Sequence, residues 1–387
     1  MQILAKFGVH KWRRAFLVAL PKSNFASTVK PTTIPDLFYY STLQEDRNII
    51  VRNRHSSSEI RRMQAIRVHE FGGEDKLRFE DDVILPKLED DKILIRIHAA
   101  GVNPVDTYIR QGTYTRVPKL PYIPGSDGAG IVEQIGDNIK NFSVGDRVYF
   151  SRNAYGSYAQ FTLTDEQSCW PLPERLSFEQ GAAIGVPYFT AFRALFQKAQ
   201  AKRGQSVLVH GASGAVGLAA CQLAKSHGLT VFGTAGTEEG MNIVKSEGLA
   251  DKVFNHKEKN YHEKIIKQSV NEEGVDIILE MLANANLGHD LPLLKSNGVV
   301  VVVGSRGHVQ INPRDLMTKE TRIVGTSLFK STPEEWKENT KAILDGLNSK
   351  KLEPVVGQIY ALKDAAKAHH DIIHKPGAKG KLVLKIE

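Results

Sequence analysis

A glycine-rich stretch in the middle of the chain has the residue types and spacing of a phosphate-binding turn. This glycine turn (residues 210–217) reads His210-Gly-Ala-Ser-Gly-Ala-Val-Gly217, follows the apolar run 207–209 and precedes a segment with helical periodicity that ends at Gly228. Gly214 lets the backbone approach a phosphate, and Gly217 lets the helix pack closely on the strand. Ala212 replaces the first glycine of the GxGxxG pattern, but the strand–turn–helix context predicts dinucleotide binding.

The residues after the next apolar run indicate which dinucleotide is used. An NAD enzyme commonly has Asp or Glu at the end of the second strand, where the carboxylate bonds the ribose 2′-hydroxyl. Here Val231-Phe232 is followed by Gly233-Thr-Ala-Gly-Thr237, and the first acid is Glu238. Without a carboxylate, a 2′-phosphate meets no repulsion at this position. The sequence therefore favours NADPH.

The chain lacks the ligand sets of the zinc sites found in dehydrogenases. Catalytic zinc needs three protein ligands, and structural zinc needs four. Cys169 and Cys221 are the only cysteines, Cys221 lies in the predicted helix after the glycine turn, and Cys169 has no histidine nearby at ligand spacing. We therefore predict no metal ligands for the reaction. Alcohol oxidation is disfavoured, because it needs a Lewis acid to stabilise an alkoxide. Reduction of an electrophilic quinone or enone depends less on such a group.

The segment from about residue 186 to 325 has the pattern of a doubly wound α/β domain. Short β-branched apolar runs alternate there with helical segments, at 207–209, 230–232, 252–254, 275–279, 299–303 and 323–324. Strands that are apolar on both sides are typical of a parallel sheet covered by helices on both faces. The glycine turn follows the first of these runs, so residues 186–325 are predicted to form a Rossmann domain.

The preceding segment has the pattern of a compact β-rich domain. Period-2 runs at 64–70 and 92–98 are followed by short strand-like runs at 129–135 and 147–150, with Gly-Asp pairs between them. The final apolar run, 381–384, is predicted to return to this domain. The predicted fold class is α/β, with a β-rich domain at 63–185 completed by 326–387.

The basic charge of the chain belongs to its N-terminal segment. The net charge is +8, and residues 1–62 contribute +7 of it, from eleven bases and four acids. The first 35 residues have no acid and can form an amphipathic helix, which is typical of a mitochondrial transit peptide, although an unstructured extension fits equally. Residues 36–62 are interpreted as a linker. Mitochondrial and cytoplasmic locations both stay open, and no apolar run approaches the roughly 20 residues of a membrane span.

Long segments of residues 63–387 resemble the zeta-crystallin type of quinone oxidoreductase, a zinc-free branch of the medium-chain dehydrogenases/reductases. Where the zinc-dependent alcohol dehydrogenases of that superfamily read Gly-His-Glu, this chain reads Pro124-Gly-Ser-Asp-Gly128. The resemblance implies a GroES-like catalytic domain beside the Rossmann domain. It is carried, in order, by residues 101–110, 120–127, 181–191, 211–217, 280–284 and 303–307.

The resemblance also implies roles for individual residues. Asn103 and Tyr108 are the implied catalytic residues beside the nicotinamide, and Tyr108 shapes the quinone cleft unless it simply covers the surface of the β-rich domain. Gly236 and His256 face the adenosine ribose and its 2′-phosphate. The remaining cofactor-binding residues are Ser213, Gly214, Ala215, Val216, Gly217, Asn286, Val303, Gly304, Ser305, Arg306, Thr326, Ser327 and Leu328.

Other positions have simpler interpretations. Thr237-Glu-Glu-Gly240 stands where bacterial relatives have a phosphate-binding lysine, so the 2′-phosphate is predicted to depend on His256 and Arg306. His369-His370 is interpreted as part of a solvated helix face. Asp276 is interpreted as a buried carboxylate with satisfied hydrogen bonds.

The sequence thus predicts an NADPH-dependent quinone reductase that acts by orientation and exclusion of water, because no acid–base pair is visible. One-electron and two-electron transfer both stay open. An enone or 2-alkenal reductase is the enzymatic alternative. AU-rich RNA binding that is sensitive to NADPH, and a structural lens-like role, are the alternatives from other classes, and the near-neutral body gives RNA no support. The resemblance implies a dimer or tetramer of identical chains.

Overall fold

The computed structural model describes residues 61–387, which belong to one compact unit running from Ser58 to Glu387. The predicted targeting helix and most of the predicted linker lie outside the described residues. Among those that are described, no helix combines the length and the apolar character that crossing a membrane requires.

The strands of the described residues form three sheets. In chain order they are β1 (Arg62–Arg67), β2 (Arg78–Ile84), β3 (Lys92–Val102), β4 (Asp127–Ile135), β5 (Arg147–Phe150), β6 (Phe161–Asp165), β7 (Cys169–Pro171), β8 (Ser206–Val209), β9 (Thr230–Ala235), β10 (Lys252–Asn255), β11 (Val275–Glu280), β12 (Leu294–Val302), β13 (Arg322–Gly325), β14 (Val356–Ala361) and β15 (Lys381–Lys385).

The helices are concentrated in the second half of the chain. They are α1 (Pro104–Arg110), α2 (Phe178–Ala182), α3 (Gly185–Phe192), α4 (Ala215–Ser226), α5 (Glu238–Ser246), α6 (Tyr261–Gln268), α7 (Ala283–Leu293), α8 (Pro313–Lys319), α9 (Pro333–Asn348) and α10 (Ala365–His374). Helix α3 continues into a π-helical stretch at Arg193–Lys198, and short 3₁₀ turns lie at Glu74–Lys76 and Leu328–Lys330.

The six-stranded sheet has the order β10-β9-β8-β11-β12-β13, and all its pairs are parallel. Alternate residues of one strand enter two different hydrophobic clusters. Val207 and Val209 of β8 pack with α3, α4 and α9, whereas Leu208 packs with residues of α6 and α7. Both faces are therefore covered by helices, which explains why these strands are apolar without alternation. The predicted doubly wound parallel sheet is confirmed.

The seven-stranded sheet has the order β14-β15-β3-β4-β5-β7, and β6 also pairs with β3. Strand β3 is the long strand of this sheet, and it pairs antiparallel with β4, β6 and β15. Strand β15 is the predicted returning tail, and Leu382 lies opposite Val102. Strand β2 was not predicted, because its sequence, Arg-Phe-Glu-Asp-Asp-Val-Ile, is mostly charged and it forms only an exposed ribbon with β1.

Candidate functional site

The glycine turn joins β8 to α4 with the geometry that the sequence predicts. Gly211 has a φ of +59°, in the left-handed region that favours glycine, and Gly214 is the N-cap of α4. A Cβ on Gly217 would lie 2.3 Å from the carbonyl oxygen of Gly211, so the helix can approach the turn only because this residue is glycine. The first N–H groups of α4 have no acceptor within the helix and can bind an anion.

The other predicted cofactor residues follow strands of the same parallel sheet. Gly236 follows β9, Asn286 lies in α7 after β11, the run 303–306 follows β12, and the run 326–328 follows β13. Because the carboxyl ends of parallel strands lie at one edge, the fold brings these residues to one crevice. The Thr326 hydroxyl is buried there without a hydrogen-bond partner in residues 61–387.

The adenosine end of this crevice differs from the sequence prediction. A Cβ on Gly236 would lie 2.5 Å from Nε2 of His256 and 3.3 Å from Cε of Lys257, so both bases lie beside Gly236. Lys257 was not predicted. Glu239, an acid of the following turn, is paired with Lys379 from the C-terminal tail. The local charge at the end of β9 is therefore more favourable to a phosphate than the two glutamates suggest.

Arg306 lies away from that end of the crevice. Strand β12, which precedes Arg306, is three positions from β9 in the sheet, or about 14 Å at the usual strand spacing. The Arg306 guanidinium donates to the carbonyl oxygen of Ile373 in α10 at 3.2 Å, and its backbone N–H donates to Asn284 at 2.8 Å. The assignment of the 2′-phosphate to Arg306 stays a prediction, and Lys257 is a further candidate at the end of β9.

An acid–histidine cluster (His210, Glu280 and Asp290) lies buried under the middle of the crevice. The Nε2 atom of His210 is 2.8 Å from Oδ1 of Asp290 and 3.6 Å from Oε2 of Glu280. Burial, and then the charge of Asp290, raise the pKa of Glu280 to about 7, with His210 opposing the shift. The second oxygens of both acids lack partners in residues 61–387, which fits a protonated Glu280 that donates to Asp290.

This cluster orients a predicted cofactor residue. Glu280 accepts hydrogen bonds from the side-chain amide of Asn286, at 3.2 Å, and from the backbone N–H of Leu282. The sequence analysis missed all three members of the cluster. The available signal was positional, since His210 is the first residue of the glycine turn and Glu280 is the last residue of β11.

Asn103 belongs to a buried corner (Asn103, Asp127 and Lys381) of the β-rich sheet. Its side-chain N–H donates to Asp127 at 3.0 Å, and its side-chain oxygen accepts from the ammonium of Lys381. Asn103 also begins α1, where Asp106 accepts from its backbone N–H at 2.8 Å. Only 2% of Asn103 is exposed. Both polar atoms of its side chain are therefore engaged in this network, and its catalytic role stays a prediction.

Asp127 is the acceptor that holds this corner together. It accepts hydrogen bonds from Ser151 at 2.7 Å, from the backbone N–H of Val186 at 3.0 Å, and from Lys381 at 3.2 Å. Asp127 and Lys381 are 0% and 2% exposed. A charged pair this deeply buried is tolerated only because several donors surround the carboxylate. The sequence analysis gave Asp127 no role beyond its place in the segment 124–128, which stands where zinc-dependent alcohol dehydrogenases read Gly-His-Glu.

The C-terminal tail connects the buried corner to the glycine turn. The backbone N–H of Gly380 donates to the carbonyl oxygen of Ser213 at 2.8 Å, and Gly380 forms a parallel bridge with Gly214. The next residue is Lys381, whose ammonium bonds Asn103. Two consecutive residues of the tail thus tie together the predicted pyrophosphate and nicotinamide sides of the crevice.

Tyr108 is half-buried in α1, and its hydroxyl has no hydrogen bond with the described part of the chain. Two further aromatic residues, not predicted, lie in contact across the molecule. The ring of Tyr114, in the loop after α1, is 6.3 Å from the ring of Phe329 at an angle of 70°. Phe329 directly follows the predicted run Thr326–Leu328, so this contact joins the β-rich side to the far end of the crevice.

Two simpler interpretations have different outcomes. Asp276 is buried and satisfied, as predicted, because it accepts from the backbone N–H and hydroxyl of Ser206 at 2.7 Å and pairs with Lys295. The prediction for His369 is wrong. Its ring is fully buried between Arg110, at 3.2 Å, and Tyr158, at 3.1 Å, and burial lowers its pKa to about 3. Of the pair His369-His370, only His370 is exposed, because the helical period of α10 turns the two side chains in different directions.

Both cysteines are buried free thiols, and burial raises the pKa of each, to about 12 for Cys221. Neither belongs to a group of three potential metal ligands within residues 61–387. The groups found there are the acid–histidine cluster and a surface group of Glu74, His370 and His374.

Comparisons with known proteins agree with this architecture. A family described as "Alcohol dehydrogenase GroES-like domain" matches residues 89–174, and one described as "Zinc-binding dehydrogenase" matches residues 215–345. The chain is 55% identical over 322 residues to the quinone oxidoreductases of Rattus norvegicus and Homo sapiens, with 83% of this chain and 97% of each relative covered.

Solved structures are similar over the same part of the chain. A mycobacterial protein complexed with NADPH is 31% identical with a TM-score of 0.75, covering 84% of this chain and 100% of that one. A quinone oxidoreductase from Pseudomonas syringae pv. Tomato DC3000 is 27% identical with a TM-score of 0.75 and the same coverage.

Proposed function

Because this chain belongs to the quinone oxidoreductase family, the zeta-crystallin branch of the medium-chain dehydrogenases/reductases, we propose that it reduces small quinones with NADPH in the crevice at the carboxyl edge of its parallel sheet. The single observation that carries this proposal is the joining of the glycine turn to the Asn103 side of the crevice by Gly380 and Lys381. This contact supports a crevice with the glycine turn on one side and the substrate on the other.

The residues at this edge fit NADPH. The turn supplies glycine backbone and free helix N–H groups for the pyrophosphate, through Ser213, Gly214, Ala215, Val216 and Gly217. When bound, NADPH supplies the reducing equivalents. The runs 303–306 and 326–328 line the nicotinamide half of the crevice. The Thr326 hydroxyl, which has no partner in residues 61–387, can form a hydrogen bond with the cofactor there. Asn286 is held in place by Glu280.

The 2′-phosphate is bound by the two bases beside Gly236. Lys257 supplies an ammonium group, and His256 supplies a ring nitrogen at the same strand end. This arrangement gives the chain a preference for NADPH over NADH. Arg306 serves a different purpose, since it holds the loop after β12 against α10.

The substrate binds between α1 and the segment after β13. Tyr108, Tyr114 and Phe329 provide aromatic surface on which a flat quinone stacks, and stacked or edge-to-face rings gain stability beyond simple burial. The buried corner sets the position of α1 through Asn103, and thereby the position of Tyr108. Rate enhancement comes from orientation and exclusion of water.

A steady-state assay tests the activity. It follows the oxidation of NADPH, at a concentration that saturates the enzyme, with an ortho-quinone as the acceptor. Turnover is expected with the quinone, and a 2-alkenal of similar size should be reduced more slowly. Faster reduction of the alkenal would replace the quinone assignment with an enone reductase. No quinone turnover above the enzyme-free rate, in protein shown by titration to bind NADPH, would refute the activity while leaving the cofactor site intact.

Other parts of the proposal concern organisation and place. We propose that residues 63–185 with 326–387 form the catalytic domain and residues 186–325 the Rossmann domain, supported by their separate sheets. The chain assembles as a dimer or tetramer, which light scattering on the purified protein tests.

Residues 1–62 direct it to mitochondria, and removal of that segment should leave a tagged protein in the cytoplasm.

A further inference from the structure

Helix α10 carries two exposed histidines on one face. His370 and His374 are four residues apart, so their side chains lie one helical turn apart on the same face. Their ring centroids are 4.8 Å apart, with an angle of 38° between the rings. Both side chains are exposed. Two imidazoles at this spacing can reach one small ion together.

A carboxylate from a distant part of the sequence completes the group. Glu74 lies in the 3₁₀ turn Glu74–Lys76, which packs against α10, and its Oε1 is 3.6 Å from Nδ1 of His370. One potential ligand atom from each of the three residues lies within 4.8 Å of the others.

We propose that Glu74, His370 and His374 form a surface site for a late first-row divalent cation, of which Zn²⁺, Ni²⁺ and Cu²⁺ are the candidates. Imidazole suits these ions, and one carboxylate beside two imidazoles is a donor set that they accept with water in the remaining positions. Mg²⁺ and Ca²⁺ prefer oxygen ligands and are not expected to bind. None of the three residues is among the predicted cofactor-binding residues.

The alternative is a simple ion pair between Glu74 and a protonated His370. That interpretation uses only two of the three residues and leaves His374 without a role. The separation of 3.6 Å between Glu74 and His370 is also long for a hydrogen bond, but it suits two ligand atoms that are each about 2 Å from one ion. The ion-pair interpretation predicts no binding of a cation.

A cation at this site would hold α10 to the β-rich part of the chain. The same helix bonds Arg306 through the carbonyl of Ile373, and it bonds Arg110 through the buried His369. A ligand that binds the folded state and not the unfolded chain raises the unfolding temperature. Thermal stabilisation by the cation is therefore a second readout, and it does not depend on the enzymatic activity.

Calorimetric titration of the full-length, chelator-treated protein with Zn²⁺ and Ni²⁺ tests the site. The variants are His370→Ala, His374→Ala and Glu74→Gln. His69→Ala is the matched control, because His69 also faces a carboxylate, Glu80, but has no second histidine beside it. The other histidines of the chain are the same in all these proteins, so only the change between them is interpreted.

We expect each histidine variant to weaken binding by at least about tenfold, the scale already seen when groups that merely orient a metal ligand are removed. Glu74→Gln should weaken it less, and His69→Ala should leave it unchanged. The rise in unfolding temperature with Zn²⁺ should disappear in the two histidine variants. Because the two substituted histidine side chains are exposed, the histidine variants should unfold, after chelator treatment, at the same temperature as the chelator-treated parent. Equal affinity and stoichiometry in the parent and the histidine variants, or no binding by the parent, would overturn the proposal.

Discussion

The two sides of the crevice are built in different ways. The glycine turn is formed by eight consecutive residues, which link β8 to α4 and include the first residues of that helix. Its geometry follows from local constraints such as the φ of +59° at Gly211. The buried corner joins Asn103, Asp127 and Lys381, which come from three distant parts of the chain. The first side can be recognised in a single sequence. The second forms only when β15, near the end of the chain, pairs with β3 and brings Lys381 to Asn103 and Asp127. This difference predicts how each side responds to substitution.

The largest effect is expected at the buried corner. Lys381→Met leaves the carboxylate of Asp127 buried without its positive partner, which costs about 3–5 kcal/mol of unfolding free energy. Denaturant unfolding measures the loss. Lys385→Met, an exposed lysine in the same strand, is the control and should change stability little. A loss for Lys381→Met no greater than that of the control would mean that the corner is not a charged pair.

The glycine turn should respond through packing and cofactor affinity. In Gly217→Ala the new methyl group would lie 2.3 Å from the Gly211 carbonyl oxygen, so α4 must shift, at a cost of about 1–3 kcal/mol. Fluorescence titration should show weaker NADPH binding. Gly288→Ala in α7 is the control, since its methyl group would meet nothing closer than 3.4 Å. Unchanged NADPH affinity in Gly217→Ala would show that the turn does not bind the pyrophosphate.

The acid–histidine cluster predicts a dependence of stability on pH. The pKa of Glu280 is raised to about 7 from an ordinary value of 4.5, so the folded chain binds the extra proton between these pH values. Its contribution to stability is therefore greatest below about pH 4.5 and is lost as the pH rises through 7. Glu280→Gln keeps a donor towards Asp290 and does not titrate.

The parent should accordingly lose more stability than Glu280→Gln between pH 5 and pH 8, by on the order of 1–3 kcal/mol. Unfolding curves at several pH values measure this difference. Glu273→Gln, an exposed glutamate before β11, should behave like the parent. If the Glu280 variant and the parent lose stability in parallel, Glu280 is ionised in the folded chain at both pH values.

The smallest effect is expected at the adenosine end. Lys257→Ala removes one charge-assisted hydrogen bond to a 2′-phosphate, so NADPH should bind about tenfold more weakly. NADH affinity should not change, because NADH has no such phosphate. Arg306→Ala is the comparison, and it should alter the two affinities alike. A selective loss of NADPH affinity in Arg306→Ala, with none in Lys257→Ala, would restore the assignment made from the sequence.

Much of the fold was predictable because its signals are local. The apolar runs at 207–209 and 275–279 lie in β8 and β11, and the run at 299–303 begins in β12 and ends one residue beyond it. Their lack of alternation correctly predicted a sheet covered on both faces. Strand β2 was missed because its charged residues face solvent in a ribbon, where burial imposes no pattern. His369 was misplaced because a histidine pair does not show which ring faces the core.

The sequence by itself determined the dinucleotide turn, the parallel sheet that presents it and the absence of an acid at the end of β9. Each of these depends on the conformational limits of neighbouring residues. The tertiary structure decided that Lys381 would meet Asp127, that Lys257 instead of Arg306 would lie beside Gly236, and that burial would raise the pKa of Glu280. These outcomes depend on which strands become neighbours and on how deeply charges are buried, and both are properties of the folded chain as a whole.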